Sequence, residues 1–357
     1  MKRTPRALAA FVALGLLAGA CGGDDAGDAT EPFDPDREPA LNALADTSST
    51  LLGPEVDADE VTQADDVPEV PDAPELDVAD FPRTVEHALG SSEIADAPER
   101  IVALAGTADF DALLALGVVP FGAASYYPVN AAGGRSFAPW NQEYVGEVET
   151  FVSAFNGLSL EALSALEPDL IVGQVGSVDD AYDQYSAIAP VAVHEYPTDW
   201  REPIRIFGDA LALEEEAVAA IATIEAEIAA IAERVPDPAP SVALITPLVD
   251  QVVVYTRTGG PGPANALTEI GIDVIGTDSP ISYERLGDLS DADWIVLFDF
   301  TLDPLEPLLD DPLFNTLPAV QAGRVVQLSP EQSFSWAIET SRSIPATLDG
   351  ILTELGY

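Results

Sequence analysis

Reactive side chains are scarce in this chain. Lys2 is the only lysine, Cys21 the only cysteine, and His87 and His194 the only histidines. A phosphate-cradling loop ending in Gly-Lys-Ser/Thr and a Ser-x-x-Lys acyl-transfer site both need a lysine beyond position 2. No Gly-x-Ser-x-Gly elbow is present, and two histidines so far apart in sequence make a poor Ser-His-Asp triad. Capture of free zinc or manganese calls for several converging His or carboxylate ligands, so both histidines read as structural or exposed. A disulfide within the chain is impossible. What remains is recognition chemistry. Tyr126, Tyr127, Arg135, Phe137 and Trp140 crowd into residues 123–144 among Ala131, Ala132, Gly133 and Gly134, and only ten arginines follow residue 82. A guanidinium pairs with planar oxygen anions, while aromatic faces cover apolar edges.

The 357 residues, 47% hydrophobic, suffice for two ordinary domains. With 62 Asp+Glu against 14 Lys+Arg the net charge is −48, which repels nucleic acid over most of the surface. Such an excess is also common in proteins that stay soluble at high salt.

Lys2, Arg3 and Arg6 precede an apolar run from Ala7 to Ala20. That run is too short to span a bilayer at about 1.5 Å per residue and has the form of an export signal. Leu17-Ala18-Gly19-Ala20-Cys21 resembles the lipobox of bacterial lipoproteins, with Ala18 where Leu is usual. The resemblance implies lipidation of Cys21; the alternative is an ordinary secretory signal with an incidental cysteine. Residues 22–82 hold 19 acidic side chains against Arg37 alone, with prolines at 54, 68, 71 and 74. Like charge and low hydrophobicity predict a disordered tether whose mean reach is roughly 40–50 Å. A recognition role for this acidic stretch is the other reading.

Beyond it the pattern is α/β. Residues 101–104 are strand-like, Asp109 is placed to cap a helix bearing Phe110, Leu113 and Leu114, and Gly117 stops it before a second strand at 118–122. Residues 159–166 predict a helix before the strand 170–173. The second half repeats the scheme: strand 242–245, helix 265–271, strand 272–276. Ser159-Leu160-Glu161-Ala162-Leu163 and Ser282-Tyr283-Glu284-Arg285-Leu286 occupy equivalent places 123 residues apart. Between the halves Leu213, Val218, Ile221, Ile224, Ile228 and Ile231 mark one long helix, about 30 Å for twenty residues, ended by Pro236, Pro238 and Pro240. The expected architecture is two related Rossmann-like lobes joined by this helix, with a ligand cleft between them. The boundaries are 1–21 for the signal peptide, 22–82 for the tether, 83–205 for the first lobe, 206–235 for the connecting segment and 236–357 for the second lobe.

Several stretches resemble one family, the substrate-binding lipoproteins of ABC importers for iron-siderophores, haem and cobalamin. They are Thr84-Val85-Glu86-His87-Ala88-Leu89-Gly90 with Pro98-Glu99-Arg100-Ile101-Val102-Ala103-Leu104; Leu116-Gly117-Val118-Val119-Pro120-Phe121-Gly122; Leu158-Ser159-Leu160-Glu161-Ala162-Leu163 with Leu166-Glu167-Pro168-Asp169-Leu170-Ile171; and Leu313-Phe314-Asn315-Thr316-Leu317-Pro318-Ala319-Val320-Gln321-Ala322-Gly323-Arg324-Val325. The opening stretch is most similar to the iron-siderophore branch. The resemblance implies an exported, lipid-anchored binding protein, not an enzyme, which captures a ferric siderophore and delivers it to an ABC permease dimer with its ATPase. No cofactor and no directly bound metal are implied. Glu161 and Glu284 are the implied permease-docking carboxylates. Ligand groups are expected on loops at strand carboxyl ends, with Thr107, Tyr126, Arg135, Trp140, Arg257 and Trp336 as candidates. Haem or cobalamin is the alternative cargo, and an exported lipid-anchored hydrolase or adhesion module is the alternative of another class.

Overall fold

A computed structural model describes residues 70–125, 139–144, 148–152, 160–178, 181–195, 199–248, 250–256, 263–276, 279–298, 305–328, 333 and 340–357. Contacts divide the chain into two units. Among the described residues, one takes those from 70 to Arg234 and adds the ones within Ile338–Gly350; the other takes those within Val235–Ala337 and Ile351–Tyr357. The stretch 338–350, expected in the second lobe, thus belongs with the first unit.

In the first unit a hairpin of β1 (Arg83–His87) and β2 (Gly90–Ile94) precedes β3 (Ile101–Ala103), α1 (Thr107–Ala115), β4 (Gly122–Ser125) and β5 (Glu149–Val152). Then come α2 (Leu160–Ala165), β6 (Leu170–Gln174), α3 (Tyr182–Ser186), β7 (Val191–His194), α4 (Arg201–Leu211) and α5 (Glu214–Ala232). The sheet has the order β5-β4-β3-β6-β7 with every pair parallel. Val102, Leu104, Ile171, Val191 and Val193 pack with Leu163, Val178 and Tyr185 in one core. Continuous apolar runs are what a parallel sheet covered on both faces requires.

Two expected elements move. The helix expected to be capped by Asp109 starts earlier, at Thr107, because Gly106 at φ 64° and ψ −129° turns the chain into it. The strand expected at 118–122 lies at Gly122–Ser125. Pro120 has no N–H to give a ladder, and the first pairing is Gly122 with Val102.

The long helix expected between the halves is α5, 19 residues from Glu214. Ile221, Ile224 and Ile228 are buried as the period required, whereas Val218 is 69% exposed. The reason is Gly208 of α4. A Cβ on that glycine would stand 2.7 Å from the Cβ of Ala217, so the two helices meet closely at Gly208 and Ala217 and turn Val218 outward. Ala212, in the left-handed region at φ 58°, makes the corner between them. Arg201 of α4 donates to Glu225 of α5 at 2.6 Å, and Arg83 of β1 bridges to Asp209 at 2.8 Å and to Glu214.

In the second unit β8 (Ser241–Pro247) and β9 (Gln251–Tyr255) form an antiparallel hairpin, followed by α6 (Pro263–Glu269), β10 (Asp273–Val274) and β11 (Ile281–Ser282). After a 3-10 segment at Tyr283–Leu289 come β12 (Trp294–Leu297), α7 (Glu306–Leu309), α8 (Pro318–Gln321) and β13 (Val325–Gln327); the final helix α9 (Ser343–Glu354) belongs with the first unit up to Gly350 and with the second from Ile351. The sheet order is β11-β9-β8-β12-β13, with β10 beside the start of β8. The strand expected at 272–276 shrinks to β10.

The internal repeat extends to the joints. Asp169, just before β6, accepts hydrogen bonds from the backbone N–H groups of Glu99 and Arg100 at 2.8 Å, where the chain enters β3. Asp293, just before β12, accepts from Ser241 N–H and Oγ at 3.0 Å, at the start of β8. These bonds hold the Asp293 carboxyl below the usual carboxylate range.

His87 fastens the hairpin to the sheet. Leu89 N–H donates to Nδ1 at 3.2 Å, so that nitrogen carries no proton, while Nε2 faces Ser92 Oγ and Tyr182 Oη, each at 3.2 Å. Ser92 Oγ in turn donates to the Val191 carbonyl at 2.7 Å. Burial lowers the His87 pKa from 6.5, against a smaller upward pull from Glu86. A lowered folded-state pKa means the folded chain binds fewer protons. This contribution to stability is therefore complete above about pH 6.5 and is lost as pH falls from there toward the folded-state value. In urea titrations the stability advantage of the native chain over a His87→Asn variant should shrink on going from pH 7.5 to pH 5. A constant advantage would show that His87 does not titrate in this setting.

Candidate binding edge of the first sheet

All five strands of the first sheet are parallel, so their carboxyl ends share one edge, which carries the turn after β3, Ser125 of β4, Gln174 of β6 and His194 of β7. In α/β sheets this edge is where ligand groups gather. Two buried polar clusters underlie it, and both are built on α1, a helix buried around nearly its whole circumference.

The first cluster is Asp109 with His194, 0% and 1% exposed. His194 Nε2 lies 2.9 Å from Asp109 Oδ1, Nδ1 lies 2.8 Å from the Glu195 carbonyl, and Asp109 Oδ2 accepts from Ala105 N–H at 2.7 Å. Both ring nitrogens thus face oxygen atoms. Since a carbonyl only accepts, Nδ1 is the donor to Glu195, and Nε2 is hydrogen-bonded to Oδ1. The pair ties the end of β7 to the turn after β3, and Phe207 packs edge-on against the imidazole at 5.9 Å.

The second cluster is centred on Asp111, which is wholly buried. Its Oδ2 accepts from Trp140 Nε1 at 2.9 Å and from Thr340 Oγ1, and its Oδ1 accepts from Asn141 Nδ2. Arg342, 4% exposed, donates through Nε to Asn141 Oδ1 at 3.2 Å. Burial raises the Asp111 pKa, opposed by these donors and by the Arg342 charge.

Of the predicted ligand residues, Thr107 opens α1 and is buried at 6% exposure. Trp140 is half-buried, with its indole N–H turned inward to Asp111. The structure therefore brings Thr107 and Trp140 to the same helix. Tyr126, Arg135, Arg257 and Trp336 lie outside the described residues, as does Cys21. In the second unit β9 runs antiparallel to β8, and its last residue, Tyr255, is level with Leu244. Tyr255 is buried there, with Oη 3.1 Å from Thr246 Oγ1 and its ring edge-on to Phe298 at 5.3 Å. Burial pushes its hydroxyl pKa well up.

The docking candidates occupy matched sites. Glu161 stands in the first turn of α2, before β6, and Glu284 in the first turn of the 3-10 segment before β12. Both are exposed or partly exposed, and neither has an ion-pair partner among the described residues. Glu161 borders an open depression of about 690 Å³ lined by Leu160, Ser164, Ala165, Gln184, Ala187 and Ile188. Among the described residues no helix is long and apolar enough to cross a membrane.

With two α/β units, the first on an all-parallel sheet and the second on a mixed one, the chain belongs to the periplasmic binding protein family, whose model matches residues 102–332. Among individual relatives, it is 28% identical over 185 residues to the probable siderophore-binding lipoprotein YfiY of Bacillus subtilis (strain 168). That match covers 50% of this chain and spans about half, 54%, of the relative. Among solved structures, a periplasmic solute binding protein from Mycobacterium smegmatis str. MC2 155 superposes with a TM-score of 0.64 at 25% identity, covering 76% of this chain and 97% of that one. PiaA from Streptococcus pneumoniae TIGR4 in complex with ferrichrome gives a TM-score of 0.60 at 27% identity, with 76% and 97% coverage.

Proposed function

We propose that this chain is the extracytoplasmic solute-binding lipoprotein of an ABC importer for a ferric siderophore. It is a carrier and not an enzyme: it holds the chelate at strand carboxyl ends and releases it to a permease dimer driven by its ATPase. The observation that carries this reading is the family match over residues 102–332, which contains most of both sheets. It is supported by a relative named as siderophore-binding and by a similar fold crystallised with ferrichrome. The iron arrives as cargo already wrapped by its chelator, so the carrier needs no resident cofactor and no direct metal ligands.

Recognition falls to Arg135 and Arg257, which pair with chelate oxygens, and to Tyr126, Trp140 and Trp336, whose faces cover its apolar edge. Thr107 serves at the turn after β3. Glu161 and Glu284 orient the carrier by pairing with arginines of the permease, and the depression beside Glu161 offers apolar walls to the side chains around such an arginine. A lipid on Cys21 and the acidic stretch 22–82 keep the carrier near the outer face of the membrane.

Tryptophan fluorescence tests the reading, because a ferric chelate quenches a nearby indole. Titration with ferrichrome, a ferric catecholate, haem and cobalamin should give saturable quenching with a ferric siderophore, and Trp140→Phe or Trp336→Phe should reduce its amplitude. Saturation by haem or cobalamin alone would move the cargo to those ligands. Silence across the whole panel would overturn transport.

A further inference from the structure

Asp111 meets two segments that are remote in sequence. Trp140 and Asn141 lie 29 and 30 residues away and Thr340 lies 229 away, and all three send donors to the one carboxyl group. The segments are also joined directly. Arg342 Nε donates to Asn141 Oδ1, its Nη2 approaches the Trp140 carbonyl at 3.5 Å, and Ser341 Oγ donates to the Asp111 carbonyl at 3.2 Å. Thr340 further builds the entry to α9, since its Oγ1 accepts from Ser343 N–H at 3.1 Å and Ser343 Oγ accepts from Thr340 N–H at 3.0 Å. This reciprocal arrangement is a capping box. In sequence, residue 139 follows the stretch bearing Tyr126 and Arg135, and residue 340 follows the stretch bearing Trp336.

We propose that Asp111 is a positioning residue for ligand capture: without touching the chelate, it locks residues 139–144 and 340–343 to α1 in one geometry, so that a change in either segment is felt in the other. The part about capture rests on the siderophore reading; the coupling does not. Asn141 and Thr340 are buried and Trp140 is half-buried around a wholly buried carboxyl group, which makes a half-satisfied cluster unfavourable and favours all bonds forming together. Coupling of this kind is reciprocal, and both directions are measurable.

The test uses the full chain without ligand, and hydrogen exchange of peptides covering 139–144 and 340–343. Thr340→Val keeps the side-chain shape and removes the donor, whereas Thr340→Ser keeps the donor and removes a methyl. Thr340→Val should speed exchange in 139–144 by about tenfold or more, Thr340→Ser should stay near the native rate, and Trp140→Phe should speed exchange in 340–343. Loss of the α9 cap alone would alter 340–343 and leave 139–144 unchanged, and that result would overturn the proposal. So would a larger effect from Ser than from Val, which would mark packing as the cause. In a second arm, Thr340→Val should weaken ferrichrome binding about tenfold or more while Thr340→Ser does not. If the native chain fails to bind ferrichrome, the choice of cargo falls and the exchange result still decides the coupling.

Discussion

In cells carrying the Glu161→Gln/Glu284→Gln double variant, uptake of the cognate ferric chelate is expected to drop to background, with chelate affinity and melting temperature unchanged. The substitution keeps shape and removes charge, so it isolates electrostatics. Both carboxylates sit in first helical turns, at places matched by the internal repeat, and neither is engaged by a cation among the described residues. Exposed and without an ion-pair partner among the described residues, each contributes at most the small helix-dipole stabilisation of a first-turn carboxylate, about 0.3–1 kcal/mol, too little to move the melting temperature by more than about 1 °C. On a permease each would be withdrawn from water against an arginine, and removing one partner of such a pair costs about 2–5 kcal/mol, or about 30-fold to several thousand-fold in affinity. Each single variant should retain partial uptake because the other contact survives. Uptake by vesicles holding the permease, read beside fluorescence titration of the purified carrier, separates the outcomes. Weakened chelate binding would move these residues to the ligand site, and native uptake would end the docking assignment.

The largest loss of stability is expected from His194→Ala. It removes the partner of a buried Asp109 and opens a cavity beside Phe207, leaving the carboxyl group with Ala105 N–H. Breaking a fully buried charged or proton-sharing pair costs about 3–5 kcal/mol. For a chain of this size that corresponds to a melting point lower by about 4–7 °C. His194→Gln, which keeps a donor close to the position of Nε2, should recover part of the loss. Circular dichroism melts decide the matter. A fall of less than about 2 °C for His194→Ala would show that the pair does not hold β7 to the turn after β3.

The buried strands were legible because a parallel sheet demands apolar runs such as 101–104 and 170–173, and few other structures do. The long helix was legible for the same reason of period, although one position, Val218, was misplaced. A hydrophobic period records which residues are apolar; it does not record that Gly208 lets a neighbouring helix come close enough to bury Ala217 instead. The shift of β4 to Gly122–Ser125 reflects the lack of an N–H on Pro120, a local signal outweighed by the apolar look of Val118 and Val119.

The polar clusters were less accessible. Asp109 was read as a helix cap because aspartate before an apolar run commonly plays that part. Yet the run Phe110, Ala112, Leu113, Leu114 leaves α1 no solvent face, and on such a helix two aspartates must be buried and must find donors. That was the available signal. Nothing short of coordinates pairs Asp111 with Thr340, because the separation in sequence carries no period. Arg342, one of few arginines in an acidic chain, was the remaining hint.

The last structural point concerns the order in which the molecule is completed. The first unit takes residues Ile338–Gly350 from near the end of the chain, and Asp111 needs Thr340. A nascent chain therefore carries an unfinished first unit until residue 340 has been made. Domains usually mature in the sequence in which they are made; here the first unit is completed only by residues that follow the second unit's sheet.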